Sequence, residues 1–585
     1  MKRFDRLSFI GIALSLVSVV FVGRMINLQQ KSADLADEPV YQEEVRPDRG
    51  VIYDSNGHVL AGNHMVYEVG VELNRISTNE NRERDLQAIA QMAERLLGAD
   101  YDWAYQRASL PFDRDTQRYA RLAYNLEPAV IDQLIQMIKD YESVDNYSLY
   151  AVVWTPYLAR TYPEGDLASN ILGYVPILDE SGVPKFGVEA EYQDLLQGKT
   201  VTVTYQYDPS KITDWQEVPP GADLVLTIDR EIQAMVERIL DHAVETSGSA
   251  GGTIIVMDPK TGEIIAMAVT PRSDPNTYWD LGGDADRSFT YNAAIDYNYE
   301  PGSVFKVLTV AAALDSGQIG TDFSYTDIGS EPAGTGYIQN WDRMAYGQQN
   351  LLGCLQHSLN VCMATIVLEH MKPSTYYDYL DHFGIGHRTN IDLGGEIAYP
   401  LEVFDTVEYW DEYDYASNSF GQALSVTPIQ MATALSAIAN DGNIMAPHVL
   451  KQVVSVQQQI TISPRVIASP IKAETAHYLT NLLADSLENE ASTALVDGYR
   501  VAGKTGTAEI SVEGQGYTTD LTNASFAGWG PVDDPQFLVY VWLEKPTSSK
   551  WGSIVAAPVF SNVVSELVTL MNIPPDSIRE QIAAK

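Results

Sequence analysis

The chain has 585 residues, of which 45% are hydrophobic and 20% charged. This is a globular composition on a chain too long for one core, so two or three folded domains are expected. Acidic residues outnumber basic ones by 78 to 38, giving a net charge of −40, which argues against a nucleic-acid partner because phosphate binding needs a basic face. The acidity itself reads as a well-solvated surface. Two cysteines, Cys354 and Cys362, are too few for a disulfide framework or a zinc site. In "LLGCLQHSLNVCMAT" they read as small core residues, with one disulfide as the alternative.

At the amino terminus Lys2, Arg3 and Arg6 precede an apolar run from Leu7 to Gly23. A membrane span takes about 20 apolar residues and seldom fewer than about 17, and positive residues in front keep the amino terminus in the cytoplasm. No small-x-small cleavage site follows directly. Residues 1–28 therefore read as a cytoplasmic tip and a single uncleaved transmembrane anchor, with the bulk of the chain extracytoplasmic. Residues 45–205 mix short strand-like runs with amphipathic helices such as "DLQAIAQMAERLLGA". The polar stretch 206–222, with Pro219-Pro220-Gly221, reads as a linker. From 223 to 572 strands alternate with long helices, and 573–585 forms a tail.

The tripeptide Lys-Thr-Gly occurs twice. Lys260-Thr261-Gly262 lies between the β-branched runs "GTIIVMD" and "EIIAMAV", the pattern of a hairpin, so Lys260 belongs at a turn tip. The second copy, Lys504-Thr505-Gly506, sits in "YRVAGKTGTAEI" among small residues that let a ligand lie against a strand's backbone.

A nucleophile for it is offered by "YEPGSVFKVLTVAAAL". Pro301-Gly302 makes a turn, Ser303 opens a helix, and Lys306 falls three residues later on the same face. Both lie in the first helical turn, where the positive pole of the dipole disfavours an ammonium. A lysine working as a base near neutrality has its pKa lowered from about 10.4 to about 7, a change of roughly 4 kcal/mol, mostly through burial and a neighbouring cation. Ser469 and Lys472 repeat the spacing, but Pro470 makes that an ordinary helix start with Ser469 as cap. Between the two motifs lies Ser358-Leu359-Asn360, where a hydroxyl and an amide two residues apart can face a cleft together. Ser77-Thr78-Asn79 matches the same loose pattern far upstream, and is read as a turn. His357 is read as a helix-end residue and not as a base.

Ser303–Lys306, Ser358–Asn360 and Lys504–Gly506 together are the S-x-x-K, S-x-N and K-T-G set of penicillin-recognising serine enzymes. The chain further resembles the class B penicillin-binding proteins in "RPDRGVIYDSNGHVLA", "RTYPEGDLASNILGYV", "GVEAEYQDLLQGK", "SFGQALSVTPIQMATALSAIANDG" and "ASFAGWGPVDDP". The likeness runs nearly the whole chain in order. It leaves about twenty residues between anchor and "RGVIYD", where class A members place a glycosyltransferase domain.

The resemblance implies a multidomain α+β protein. An anchor helix and an α+β pedestal of dimerisation type precede a β-lactamase-like transpeptidase domain, with an antiparallel sheet flanked by helices. It implies a D,D-transpeptidase that cross-links peptidoglycan stem peptides ending in D-Ala-D-Ala and is acylated by β-lactams. In that reading Ser303 is the nucleophile, Lys306 the base, Ser358 the proton relay and Lys504 the group that polarises it. Asn360 holds a peptide amide, and Thr505, Gly506 and Thr507 line the seat of the donor's terminal carboxylate. No metal or cofactor is called for. A membrane glycosyltransferase and other wall-assembly proteins are the implied partners. The rival readings are a D,D-carboxypeptidase, a β-lactamase, and a sensor or scaffold that has lost turnover.

Overall fold

The computed structural model describes residues 24–25, 40–45, 47–76, 81–176, 183–184, 186–206, 218–278, 292–401, 411–512 and 516–583. The apolar run Leu7–Gly23, residues 207–217 of the expected linker, and Ser77–Asn79 lie outside them. Contacts divide the chain into a small unit, residues 1–49 with 197–221, and a large one. In the small unit Val40–Val45 pairs antiparallel with Val201–Gln206.

In the large unit the pedestal is built on strands β1 (Ile52–Tyr53), β2 (Val59–Glu72), β3 (Tyr119–Leu126) and β4 (Val152–Thr161), with helices α1 (Arg82–Met92), α2 (Tyr101–Ala108) and α3 (Pro128–Glu142). Helix α1 comes from the predicted amphipathic segment: Leu86, Ile89, Ala90 and Met92 fall on one face and are buried against Val69, Val71 and Leu122 of the sheet. Asp100 caps α2 by accepting from the Trp103 amide. Strand β2 pairs with β4 from Gly62 opposite Thr161 to Val71 opposite Val152.

Next along the chain come β5 (Asp223–Leu226), α4 (Arg230–Ser247), β6 (Gly251–Met257) and β7 (Ile264–Thr270). They are followed by α5 (Lys306–Asp315), α6 (Leu351–Gln356), α7 (Asn360–Thr365), α8 (Pro428–Ala439), β8 (Leu450–Val454), β9 (Gln459–Thr461) and α9 (Ala473–Glu490). The chain then forms β10 (Ala502–Val512), β11 (Gly516–Gly530), β12 (Phe537–Glu544) and α10 (Ala557–Leu570). Strand β5, read from sequence as the start of the second domain, is hydrogen-bonded into the pedestal sheet. The order there is β9-β8-β5-β1-β2-β3, with β4 on β2, and β1 runs parallel to β5.

The second sheet has the order β10-β11-β12-β6-β7, and every pairing is antiparallel. Helices α4 and α10 cover one face: Val236, Leu240, Val563 and Leu567 pack on Ile254, Val539 and Val541. The other face carries α5 and α8, with Val307, Leu308 and Ile429 beside Ile255, Tyr540 and Trp542. Covered on both sides, β12 is buried at every residue, which is why "FLVYVWLE" is apolar without alternation. Helix α8 starts on Thr427, whose side chain forms a capping box with Gln430 ahead of Pro428.

Among the described residues one stretch, Gly552–Leu570, is long and apolar enough to cross a membrane, with mean hydropathy 1.5. Half of it is buried, and Phe560, Val563, Val564 and Leu567 are fully so, which makes it a core helix of this sheet.

Candidate active site

Strand β10 is an edge strand, paired on one side with β11. The turn that carries Ser303 packs against it. Residues Gly302–Phe305 form one turn of 3-10 helix, which runs straight into α5 at Lys306. With three residues per turn, positions three apart eclipse, so Ser303 and Lys306 share an edge more closely than α-helical spacing would give. Gly302 has φ of 58°, the left-handed region that glycine enters freely. A side chain there would also strike the Thr507 carbonyl oxygen at 2.7 Å.

Lys306 is fully buried. Its Nζ donates to the Ser358 carbonyl oxygen at 2.6 Å, to Asn360 Oδ1 at 2.8 Å and to Ser358 Oγ at 3.2 Å. The first two motifs therefore meet through this amine. Burial pulls the Lys306 pKa well below that of an ordinary lysine, and the nearby Lys504 ammonium adds to the effect, while Glu490 opposes it. The amide group of Asn360 is held at its other end too, Nδ2 donating to the Gln339 carbonyl oxygen at 3.1 Å.

Ser358 sits between α6 and α7 with φ of 52°, a conformation uncommon for a residue with a Cβ. The segment that holds it is closed by a disulfide between Cys354 and Cys362. This corrects the reading of the two cysteines as separate core residues. They are fully buried, but α6 and α7 fold back across Ser358 and bring their Cα atoms to 5.9 Å, within bridging range. His357 closes α6, as its position suggests. Its ring lies 4.7 Å from that of Tyr346, and its carbonyl accepts from Trp341 Nε1 at 3.1 Å.

On β10, Lys504 is fully buried and Thr505 nearly so. Thr507 Oγ1 accepts from the Gly552 amide at 3.0 Å. Gly506 is small for the protein's own packing as much as for a ligand: a Cβ there would collide with Ser525 Oγ and stand 2.8 Å from Val304 Cγ2 and 3.1 Å from the Pro301 carbonyl oxygen. The Ser303 turn can reach the strand only because that side chain is absent. Trp341 and Trp551 meet edge to face at 5.0 Å between centroids. They join the neighbourhood of His357 to that of Gly552. Neither tryptophan was singled out by sequence, since isolated aromatics carry no spacing signal.

The other copy of the tripeptide is elsewhere. Lys260 lies in the turn between β6 and β7 and pairs with Asp534 on the surface. Ser469 is not a helix cap: α9 begins at Ala473 with Lys472 at its N-cap. Ser469 Oγ donates to Asn443 Oδ1 at 2.7 Å, and Asp315 Oδ1 receives the Lys472 amide at 2.8 Å, so the helix starts later than the proline suggests.

Residues 252–565 match the model of the penicillin binding protein transpeptidase domain. Residues 44–226 match that of the penicillin-binding protein dimerisation domain. The chain belongs to the class B penicillin-binding proteins.

Among relatives of this penicillin-binding protein, stage V sporulation protein D of Bacillus subtilis is 30% identical over 544 residues, 90% of this chain and 79% of that one. The probable peptidoglycan D,D-transpeptidase PenA of Neisseria meningitidis is 27% identical over 593 residues, 98% and 94% of the two chains. Among solved structures, penicillin binding protein 3 of Mycobacterium tuberculosis in complex with aztreonam superposes with a TM-score of 0.68 at 25% identity, covering 91% of this chain and 98% of that one. Penicillin binding protein 2X of Streptococcus thermophilus shares the fold with a TM-score of 0.72 over 91% and 80% of the two chains, at 24% identity. The pedestal match ends at 226, and so takes in β5, in keeping with the pairing of that strand.

Proposed function

We propose that this penicillin-binding protein is a D,D-transpeptidase that cross-links peptidoglycan stem peptides through an acyl-enzyme on Ser303. The observation that carries the assignment is Lys306: a buried amine of lowered basicity, three residues from Ser303 and bonded to both Ser358 and Asn360.

Ser303 Oγ attacks the carbonyl carbon between the two terminal D-alanines as Lys306 Nζ takes its proton. The backbone N–H groups of Ser303 and Thr507 face the developing oxyanion. The C–N bond then breaks, and the departing D-alanine amine receives a proton through Ser358, which Lys504 polarises. An amine of a second stem peptide attacks the ester and takes the acyl group, and Ser303 recovers its proton. Lys504, Thr505 and Thr507 hold the donor's terminal carboxylate, Gly506 keeps the strand clear beside it, and Asn360 holds a peptide amide. A β-lactam follows the first half of this course and stays on Ser303.

The test is labelling with a fluorescent penicillin, comparing the intact protein with Ser303→Ala. Label on Ser303 alone is the expected result, and an adduct on another serine overturns it. Incubation of a D-Ala-D-Ala donor with an amine acceptor then separates cross-linking from hydrolysis: a carboxypeptidase releases D-alanine without forming the coupled product.

The run from Leu7 to Gly23 supports a single-pass anchor with the catalytic domain outside the cell membrane. In that setting the pedestal is the surface on which a membrane glycosyltransferase would be met. Loss of membrane association on removal of residues 1–28 is the expected outcome, and a truncated protein that stays in the membrane fraction overturns it.

A further inference from the structure

Glu490 is the last residue of α9, and nothing in the three motifs accounts for it. A carboxylate at the carboxyl end of an 18-residue helix faces the negative pole of the helix dipole. Its side chain is 7% exposed, so it has little water to compensate. Among the described residues its Oε2 has no hydrogen-bond partner, although a buried polar atom is normally satisfied. A residue that breaks several local rules at once marks a place where something other than stability is served.

Its other oxygen shows what that is. Glu490 Oε1 accepts from Lys504 Nζ and from Thr505 Oγ1. Lys504 Nζ also lies 3.3 Å from Thr505 Oγ1, so the ammonium, the hydroxyl and the carboxylate form one closed cluster. Lys504 and Thr505 are the groups assigned above to the donor's terminal carboxylate, and in this structure a carboxylate of the chain itself is hydrogen-bonded to both.

We propose that Glu490 is a resident carboxylate that holds the Lys504–Thr505 seat until the donor's own carboxylate displaces it, and so sets how far the enzyme prefers donors with an anionic end. The inference rests on the assignment of Lys504 and Thr505 to that seat. Donor binding is then an exchange of one carboxylate for another on the same ammonium, not the filling of a free cationic site. Two like charges cannot share the seat at this separation without strong repulsion, so the Glu490 side chain turns away or gives up its contacts as the donor enters. A donor ending in a neutral carboxamide gains little from the seat whether or not Glu490 is charged.

The test uses the intact protein and two N-acyl-D-alanyl thioesters, one whose leaving group ends in a carboxylate and one ending in the corresponding carboxamide. A charge-assisted hydrogen bond released from competition corresponds to about ten- to hundredfold in rate constant. At a pH on the plateau of the acylation profile, where Lys306 is already neutral, Glu490→Gln should therefore speed acylation by the carboxylate thioester by about that factor, while the carboxamide thioester changes less than about twofold. Glu490→Ala carries the same expectation and guards against a fault peculiar to glutamine. Thermal unfolding of both variants confirms that they are folded. If Glu490 merely neutralises a buried lysine, its removal slows both thioesters alike, and that result overturns the proposal, as does an equal gain for both. Failure of either thioester to acylate Ser303 in the unsubstituted protein strikes down the underlying assignment of the site, and this inference with it.

Discussion

Cys354 and Cys362 are bridged across Ser358, so the residue proposed to relay the proton is carried at the middle of a short closed loop. Inside it the Leu359 amide donates to the Cys354 carbonyl oxygen at 2.9 Å and the Ser358 amide to that of Leu355 at 3.2 Å. A left-handed serine stands about 1–3 kcal/mol above its relaxed state and persists only where its surroundings over-determine it. Closing a loop of this length stabilises the fold by about 2–3 kcal/mol. The double variant Cys354→Ala/Cys362→Ala should lose about that much stability. It should also acylate more slowly, because Ser358 is no longer held under Lys306. Denaturant unfolding and benzylpenicillin acylation rates check both, and unchanged acylation would show that α6 and α7 hold the serine without the bridge.

Lys306 gives a pH signature. The neutral amine is the base, and burial together with Lys504 lowers the pH at which it loses its proton. Acylation should rise with pH and level off well below the range of an ordinary lysine. Lys504 and Glu490 are the charged groups that act on this amine. Removing the Glu490 charge takes away the one term that favours the ammonium, so in Glu490→Gln the acid limb moves to lower pH. Lys306→Ala should slow acylation by about 10²–10⁴-fold. A plateau reached only near pH 10 would contradict the role given to this residue.

The parts of the site that were legible in the sequence are those where chemistry fixes residue type at short spacing. Ser303 with Lys306 and Ser358 with Asn360 are local pairs, and the structure brings both to one amine. Lys504 could be told from Lys260 because a hairpin has its own signature. What could not be read depends on which distant surfaces meet. Glu490 looks like one more exposed acid at the end of an amphipathic helix until α9 is seen lying along β10. The bridge from Cys354 to Cys362 needed the fold-back of two helices that an apolar run does not announce. Gly506 reads as making room for a ligand, and its second role, leaving space for Val304 and Ser525 that press on it from within, could not be read.

That contact yields a prediction of its own. Gly506→Ala places a methyl group against Ser525 Oγ, Val304 and the Pro301 carbonyl. Overpacking of this kind costs about 1–3 kcal/mol. The strand is held in its sheet by β11, so the side that yields is the Ser303 turn. Acylation should fall far more than stability does. Acylation kinetics beside thermal unfolding test this, and a loss of stability with unchanged acylation would place the displacement elsewhere.

The two Lys-Thr-Gly copies can be separated directly. Lys504→Ala removes the buried partner of Glu490 and Thr505 and should abolish efficient acylation. Lys260→Ala removes a surface ion pair with Asp534, worth at most about 1 kcal/mol in water, and should leave acylation unchanged. Penicillin labelling of the two variants side by side decides between them.

Glu237 governs a pH dependence of stability remote from the chemistry. Its Oε1 accepts from the Ala168 amide of the pedestal at 2.9 Å and from Gln233 Nε2 at 2.7 Å, so it ties the two domains together. Ala168 is itself left-handed, with φ of 54°. Burial pushes the Glu237 carboxyl from its ordinary 4.5 up to about 7, outweighing the Arg272 guanidinium 3.2 Å away, with Asp166 adding to the rise. The folded protein therefore holds this proton more tightly than the unfolded chain does. The stability it contributes is fully present below pH 4.5 and is lost as pH rises through 7, by about 3 kcal/mol. Glu237→Gln keeps an oxygen for the Ala168 and Gln233 donors and removes the titration. Unfolding measured from pH 4.5 to 8 should show a flatter profile in the variant and a gain over the unsubstituted protein above pH 7. Parallel profiles would mean that Arg272 keeps Glu237 ionised throughout.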